Sequence, residues 1–293
     1  IALVVSFLSG YPAGAKAVGD LHAENRLSDS ESTIAFALCS TTGPAFVLGT
    51  IGALFSANCW LYLLLPHFVS AIVVGFIARF ITKAKPLPHR GLPTGSGRKS
   101  APAIVVDAIG SAAAGLWKVA SFIMIFTSLT FVLADTGALD FVGHIIAFPL
   151  MALGLETQLA PMFVTGMLEM TSGCMAAAYS PAGIGSILPL LSFIISFGGV
   201  SVLMQIFSFA SETNTKFSFL LFCKFTQGIV SMLLTSLLIL LFPIDITTFS
   251  MAAMVVQNAN IGIPVLVLVA AVPIGATLYK MFRHKGYRPT KRL

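Results

Sequence analysis

Long apolar stretches constrain the fold of this chain more than any other feature. They cover about 34–55, 57–82, 113–134, 138–154, 157–178, 184–210, 217–242 and 262–281, and a shorter apolar run at 1–15 precedes them. A helix needs about 20 apolar residues to cross the hydrocarbon core of a bilayer. Charged residues make up only 10% of the chain, whereas a soluble domain has roughly 25%. The sequence therefore predicts an all-α polytopic membrane protein with about seven to nine membrane segments in a lipid bilayer.

Basic residues are concentrated beside the apolar segments. Six Lys and Arg lie between Arg79 and Lys99, and six lie between Lys280 and Arg292. Because cytoplasmic loops carry an excess of Lys and Arg, the basic loop 83–102 and the tail 282–293 are predicted to be cytoplasmic in a multi-pass protein of the bacterial cell membrane. No aromatic and basic surface accompanies these residues, so nucleic acid is not expected as a partner.

No pattern of catalytic or metal-binding residues is visible in the sequence. The four cysteines lie far apart without a C-x-x-C pair, and the five histidines have no metal-ligand spacing. A Walker loop, a nucleophile elbow and H-E-x-x-H are also absent from the sequence. We therefore expect neither an enzyme nor a bound metal or cofactor.

Two apolar segments are interrupted by helix-breaking residues. Gly43-Pro44 lies in the middle of one, and Gly198-Gly199 lies in the middle of the other, 155 positions later (198 − 43). Proline removes a backbone donor and glycine weakens a helix, so freed backbone groups must face protein or a wet cavity. Each break predicts a hinge or an internal site, although a simple kink in a packed helix is the alternative.

The two breaks belong to a weak internal repeat. A small-residue motif with a charge, a broken segment and a full apolar helix occur twice in the same order, and Gly10 and Gly166 open the two motifs. Because the first repeat is expected to end inside and the second outside, the order predicts inverted repeats, a common plan of secondary transporters. The two repeats end on opposite sides only if the number of crossings between them has the right parity. This parity condition holds if segments 157–178 and 184–210 both cross the membrane or both re-enter, and it fails if one of them crosses alone.

The prediction divides the chain into six parts. They are a first repeat at 1–82, a basic loop at 83–102, connecting membrane helices at 103–156, a second repeat at 157–242, an outer loop and last membrane helix at 243–281, and the tail at 282–293. Because the chain begins at Ile1 inside an apolar run, we expect the first repeat to be truncated at its N-terminus.

Candidate binding residues lie in the two motifs and at the two breaks. An isolated charge at the centre of a membrane costs roughly 2.5–3.5 kcal/mol, so we expect the charged residues of the motifs to have a partner or a function. Lys16 is expected to snorkel, to meet an anionic solute group or to pair with Glu169, and Lys224 either snorkels or is a site cation. The predicted solute-binding residues are Pro12, Gly14, Lys16, Thr42, Gly43, Pro44, Glu169, Thr171, Gly198, Gly199 and Gln205. Ser28 and Glu31 fit a capping box at the start of a helix.

Four ordered motifs resemble one known family. "SGYPAGAKAVGDL", "TTGPAFVLGTIG", "GMLEMTSGC" and "SFGGVSVLMQ" resemble the YlbJ-type sporulation integral membrane proteins of the nucleoside-recognition, or Gate, domain group. The resemblance covers Ser9 to about Leu241. It implies Gate-like repeats similar to those of concentrative nucleoside transporters, with re-entrant hairpins and broken helices. It also implies a role in late sporulation, the movement of dipicolinate toward the forespore.

The sequence leaves three functions open. The first is a transporter of a small polar or anionic solute, either a dipicolinate-like anion or a nucleoside. The second is a non-transporting scaffold of a sporulation complex, and the third is a membrane enzyme, for which no catalytic residues are visible. Whether the chain forms a homo-oligomer is left open.

Overall fold

The chain folds into helices in every range that the structure describes. The computed structural model describes residues 2–55, 59–83, 100–152, 154 and 156–244, and no strand occurs among them, so the all-α prediction is confirmed. The helices are α1 (Ala2–Ser9), α2 (Ala13–Ala23), α3 (Asp29–Leu38), α4 (Pro44–Phe46), α5 (Gly52–Leu54), α6 (Trp60–Thr82), α7 (Ala101–Asp135), α8 (Ala138–Ala152), α9 (Ala160–Leu168), α10 (Met170–Ala178), α11 (Ile184–Phe197), α12 (Gly199–Ala210) and α13 (Phe217–Leu241). The predicted last membrane helix, the tail and most of the basic loop lie outside the described residues.

Four helical stretches in the described part of the chain are long and apolar enough to cross a membrane. They are Trp60–Thr82, Ala101–Asp135, Ile184–Ala210 and Phe217–Leu241. The predicted segment 113–134 is part of the 35-residue helix α7, which is about 52 Å long at 1.5 Å per residue. In contrast, α8 has 15 residues and a length of about 22 Å, less than the roughly 30 Å of a hydrocarbon core.

Two pairs of short helices form hairpins instead of crossing segments. Predicted segment 157–178 consists of α9 and α10, which fold back on each other at Glu169, with Gly173 packed against the backbone of Gly166. The run at 1–15 continues into a second hairpin, α1 and α2, in which Gly14 packs against Ser6. Residues without a side chain at these contacts let the paired helices approach closely.

Both predicted breaks are present. Helix α3 ends at Leu38, residues 39–43 are not helical, and the short helical segment that contains α4 and α5 begins at Pro44. The second break separates α11 from α12 at two glycines with positive φ, +85° at Gly198 and +75° at Gly199. Residues with a side chain rarely adopt that conformation, so the glycine pair permits this break.

The two halves of the described chain repeat the same elements in opposite directions. A hairpin, a broken helix and a long helix occur first in α1 to α6 and again in α9 to α13. The long helices run antiparallel: Tyr62, near the start of α6, accepts a hydrogen bond from Thr235 Oγ1 near the end of α13 at 2.8 Å, and its hydroxyl donates to Phe242 O at 2.8 Å. The two long helices thus run in opposite directions, as the predicted inverted repeats require.

The two segments named in the parity condition differ in form. Segment 157–178 forms a hairpin, whereas 184–210 is a 27-residue stretch that is long enough to cross a membrane. The condition assumed that segment 138–154 also crosses, but α8 is too short to do so alone. Because α6 and α13 run antiparallel, their C-terminal ends lie at opposite ends of the helix pair.

The broken helix of the second repeat forms the centre of the bundle. In its most apolar window 89% of the residues are buried, compared with 6% for α7. Many large apolar side chains on α6, α7 and α13 are exposed, as a bilayer permits, for example Phe80, Leu116 and Leu240. Among the four long helical stretches of the described residues, the one formed by α11 and α12 is therefore the best buried.

Candidate functional site

The turns of the two hairpins and the two breaks meet in the interior. The Tyr11 hydroxyl, in the first hairpin turn, donates to the sulfur of Met170 in the second hairpin at 3.2 Å. Thr42 Oγ1, in the first break, donates to the backbone oxygen of Ile195 in the last turn of α11 at 2.8 Å. Four elements that lie far apart in the sequence thus share one site.

The backbone of the first break is satisfied by side chains and backbone from other elements. The carbonyl oxygens at positions 39, 40 and 41 accept hydrogen bonds from Ser6 Oγ, Lys224 Nζ and Tyr11 N, at 2.5, 2.6 and 2.8 Å. Unpaired backbone groups in a membrane interior cost several kcal/mol each, so these donors are what allow the helix to open here. The unwound segment is therefore stabilised by hydrogen bonds from other elements of the packed core.

Lys224 and His67 are the basic side chains at the breaks. Lys224 is 2% exposed, and its ammonium also donates to Gln227 Oε1 at 2.6 Å. His67 is completely buried and accepts a hydrogen bond from the backbone N of Thr42 at 2.9 Å. Lys224 is therefore not a snorkelling residue, because its charged end lies inside the protein.

Glu169 begins helix α10 and is 2% exposed. Its Oε1 accepts from the backbone N of Thr171 at 2.9 Å, and its Oε2 accepts from the backbone N and the hydroxyl of Ser172 at 2.6 and 2.7 Å. Backbone N–H groups at a helix start stabilise a negative charge. The carboxylate is thus held by its own helix rather than by a lysine.

A cavity of about 190 Å³ lies where the four elements meet. It is lined by Ser9, Tyr11, Thr42, Gly43, Ala45, Phe46, Val119, Ile123, Glu169, Met170, Thr171, Val202 and Gln205. Gln205 is 1% exposed, and its Oε1 has no hydrogen-bond partner. Buried polar atoms are nearly always paired, so an unpaired acceptor on a residue that lines a cavity is available to a donor from a bound molecule or an ordered water.

A larger cavity, of about 440 Å³, offers no comparable chemistry. It lies between α8, α9, α11 and α13, and its lining residues are all apolar, among them Phe163, Phe193 and Phe225. A polar solute needs a few polar groups to fix its orientation. The smaller cavity is therefore the candidate site. In the described ranges, no group of three or more His, Cys, Asp and Glu side chains is placed to hold a metal ion.

The structure brings five of the eleven predicted residues to the cavity: Thr42, Gly43, Glu169, Thr171 and Gln205. Pro12, Gly14, Pro44, Gly198 and Gly199 shape the hairpin and the breaks without lining it. The Lys16 ammonium lies 2.6 Å from Asp20 Oδ2 and its side chain is 36% exposed. The expected pair between Lys16 and Glu169 is not formed, and solute binding by Lys16 stays a prediction.

Sequence reasoning missed two of the residues that shape this site. Tyr11 lies inside the first motif, in which Lys16 is the charged residue. His67 has no metal-ligand spacing to the other histidines, but it lies in the apolar run "LYLLLPHFVS". An ionisable residue inside a membrane segment is a functional-site hypothesis by default, and that signal would have identified it.

Comparison with known proteins supports the resemblance. The chain is 26% identical over 255 residues to a sporulation integral membrane protein, YlbJ, of Bacillus subtilis (strain 168). The alignment covers 80% of the chain and 62% of the relative, so the chain spans less than two thirds of that protein's length. No protein-family model matches the chain, and no solved structure matches it. The chain is thus similar to the YlbJ-type proteins, as the motifs predicted, and it is an integral membrane protein.

Proposed function

We propose that this chain, similar to a sporulation integral membrane protein, carries a small polar solute across the bacterial cell membrane through the 190 Å³ cavity. The observation that carries the proposal is the unpaired acceptor Oε1 of Gln205, a residue that lines the cavity together with the buried Glu169. Inverted repeats with discontinuous helices that meet in the interior are a common plan of secondary transporters. Both features support a solute site.

The lining chemistry favours a solute that presents hydrogen-bond donors. Among the described lining residues, Glu169 is the one with a carboxylate, and none is Lys, Arg or His. The Thr42 hydroxyl hydrogen is used on Ile195 O, so its oxygen is left to accept. A neutral solute rich in hydroxyl and amino groups, such as a nucleoside, suits this set better than a dianion does.

A dipicolinate-like anion is the second candidate solute. Helical segments begin at Pro44 and Met170, next to the cavity, and helix starts carry a partial positive charge. The similarity to a sporulation protein also favours it. The carboxylate of Glu169 opposes it, because like charges repel in a low-dielectric interior.

Uptake of labelled solutes into proteoliposomes tests the proposal. We would compare dipicolinate with a nucleoside panel, under imposed proton and sodium gradients, for the wild type, Glu169→Gln and Gln205→Met. Loss of one hydrogen bond to the solute is expected to raise KM about fivefold to tenfold. Glu212→Gln is the matched control, because Glu212 is an exposed glutamate in the connection before α13.

Each outcome of the uptake experiment has a defined meaning. Uptake that falls in Glu169→Gln and Gln205→Met, but not in Glu212→Gln, supports a transporter with its site at the cavity. Absence of uptake by the folded wild type for every solute and gradient would refute transport and favour a scaffold.

A further inference from the structure

We propose that His67 is a positioning residue that fastens the two breaks together through a single imidazole ring. The proposal rests on the proposed function in one respect, namely that the site which His67 shapes is a solute site. It assigns a role to a buried basic side chain that does not line the cavity.

The hydrogen bonds of His67 define its chemical form. A backbone N–H can only donate, so the bond from Thr42 N at 2.9 Å makes Nε2 the acceptor. The neutral ring then carries its hydrogen on Nδ1, which donates to Ser196 Oγ at 2.8 Å. One ring thus uses both of its nitrogens on two different chain segments.

Those two segments are the breaks of opposite repeats. Thr42 is in the unwound segment 39–43, and Ser196 is in the last turn of α11, two residues before Gly198. The bond from Thr42 Oγ1 to Ile195 O joins the same two segments. The ring of His67 therefore connects the crossing point of the two broken helices to the long helix α6.

Lys224 is the counterpart of His67 in the second repeat. Helix α13 begins 157 positions after α6 (217 − 60), and Lys224 follows His67 by the same 157 positions (224 − 67). Lys224 donates to Ser40 O in the first break. Each long helix thus places one buried basic side chain on the same unwound segment. Two polar residues placed at random in the core would not be expected to share both the helix position and the target.

The competing explanation is that His67 only fills space. A buried aromatic ring packs well whether or not its nitrogens are bonded, and Phe68 lies beside it. His67→Phe keeps a ring of similar shape and removes both nitrogens. His67→Gln changes the shape but keeps one acceptor and one donor. The two roles therefore predict opposite orders for these variants.

The rate at which N-ethylmaleimide alkylates Cys39 measures how often the first break opens. Cys39 is 3% exposed and ends helix α3 next to the unwound segment. In a background with Cys59, Cys174 and Cys223 replaced by Ala, the labelling rate in proteoliposomes reports how often the break opens. Each lost hydrogen bond shifts such an equilibrium roughly fivefold, so the loss of two bonds in His67→Phe is expected to raise the rate about 25-fold. His67→Gln is expected to stay within about threefold of the wild type.

Two controls keep the test decisive. A second background that retains only Cys59, which is 2% exposed at the start of α6, measures general loosening. Where His67→Phe does not fold, Ser196→Ala removes one of the two bonds and is expected to raise Cys39 labelling roughly fivefold.

Three results would overturn the positioning role. They are an unchanged Cys39 rate in His67→Phe, equal rates in the Gln and Phe variants, and an equal rise at Cys59. Labelling needs no solute, so it separates this proposal from transport. Faster Cys39 labelling in His67→Phe, with no solute taken up by the wild type, would support the fastening of the breaks and refute the proposed function.

Discussion

Replacement of Gly173 by alanine tests the close contact in the second hairpin. A Cβ at Gly173 would lie 2.3 Å from Gly166 Cα and 2.8 Å from Gly166 N, and both are backbone atoms. Carbon atoms in contact prefer about 3.5–4.0 Å, so α9 and α10 would have to separate by more than about 1 Å. Overpacking of this kind costs up to about 3 kcal/mol. Alanine recovers about 1 kcal/mol relative to glycine in a helix.

The net destabilisation is therefore about 2 kcal/mol, which corresponds to a fall in Tm of about 4–8 °C for a chain of this size. Heating the detergent-solubilised protein and measuring the fraction that stays monodisperse checks the prediction. Gly115→Ala in α7 is the control, because no atom lies within 4 Å of the Cβ position there, and its Tm should be equal or higher. A Tm for Gly173→Ala within about 1 °C of the wild type would refute the close-contact reasoning.

Two further predictions concern Lys16 and the cap of α3. Lys16→Ala is expected to lower Tm by less than about 2 °C and to leave solute uptake unchanged, because an exposed i,i+4 pair such as that with Asp20 contributes about 0.3–0.5 kcal/mol. A loss of uptake at unchanged Tm would instead restore Lys16 as a solute contact. Ser28→Ala is expected to cost about 1 kcal/mol, seen as a fall in Tm of about 2–4 °C, because it removes the hydroxyl that accepts from Glu31 N, although the bond from Ser28 N to Glu31 Oε2 remains. Ser100 begins α7 without a side-chain cap bond, so Ser100→Ala should not change Tm, and an equal fall in both variants would contradict the capping argument.

The breaks and the repeat order were predictable because local chemistry specifies them. Gly43-Pro44 and Gly198-Gly199 weaken a helix wherever they occur, and a membrane forces the freed groups inward. The capping box at Ser28 is equally local, and the structure contains it. Glu169, Thr42 and Gln205 were found for the same reason, as polar residues inside apolar segments.

The hairpin at 157–178 was harder to predict. Its 22 residues suffice for one crossing by length, and the sequence left crossing and re-entry open. Gly166 and Gly173 decide the matter in the structure, because they let the two short helices pack side by side. That contact forms because the chain turns at Glu169, and the pattern of apolar residues does not predict this turn.

Apolar segments and glycine and proline positions thus determined the fold class, the inverted repeats and both breaks from the sequence alone. Only the tertiary structure decided which basic residues serve the breaks: Lys224 and His67 reach them, while Lys16 turns to Asp20. The physical reason is distance along the chain. Lys224 bonds a carbonyl 184 positions away, and such a partner is set by how the helices cross, which residue spacing does not encode.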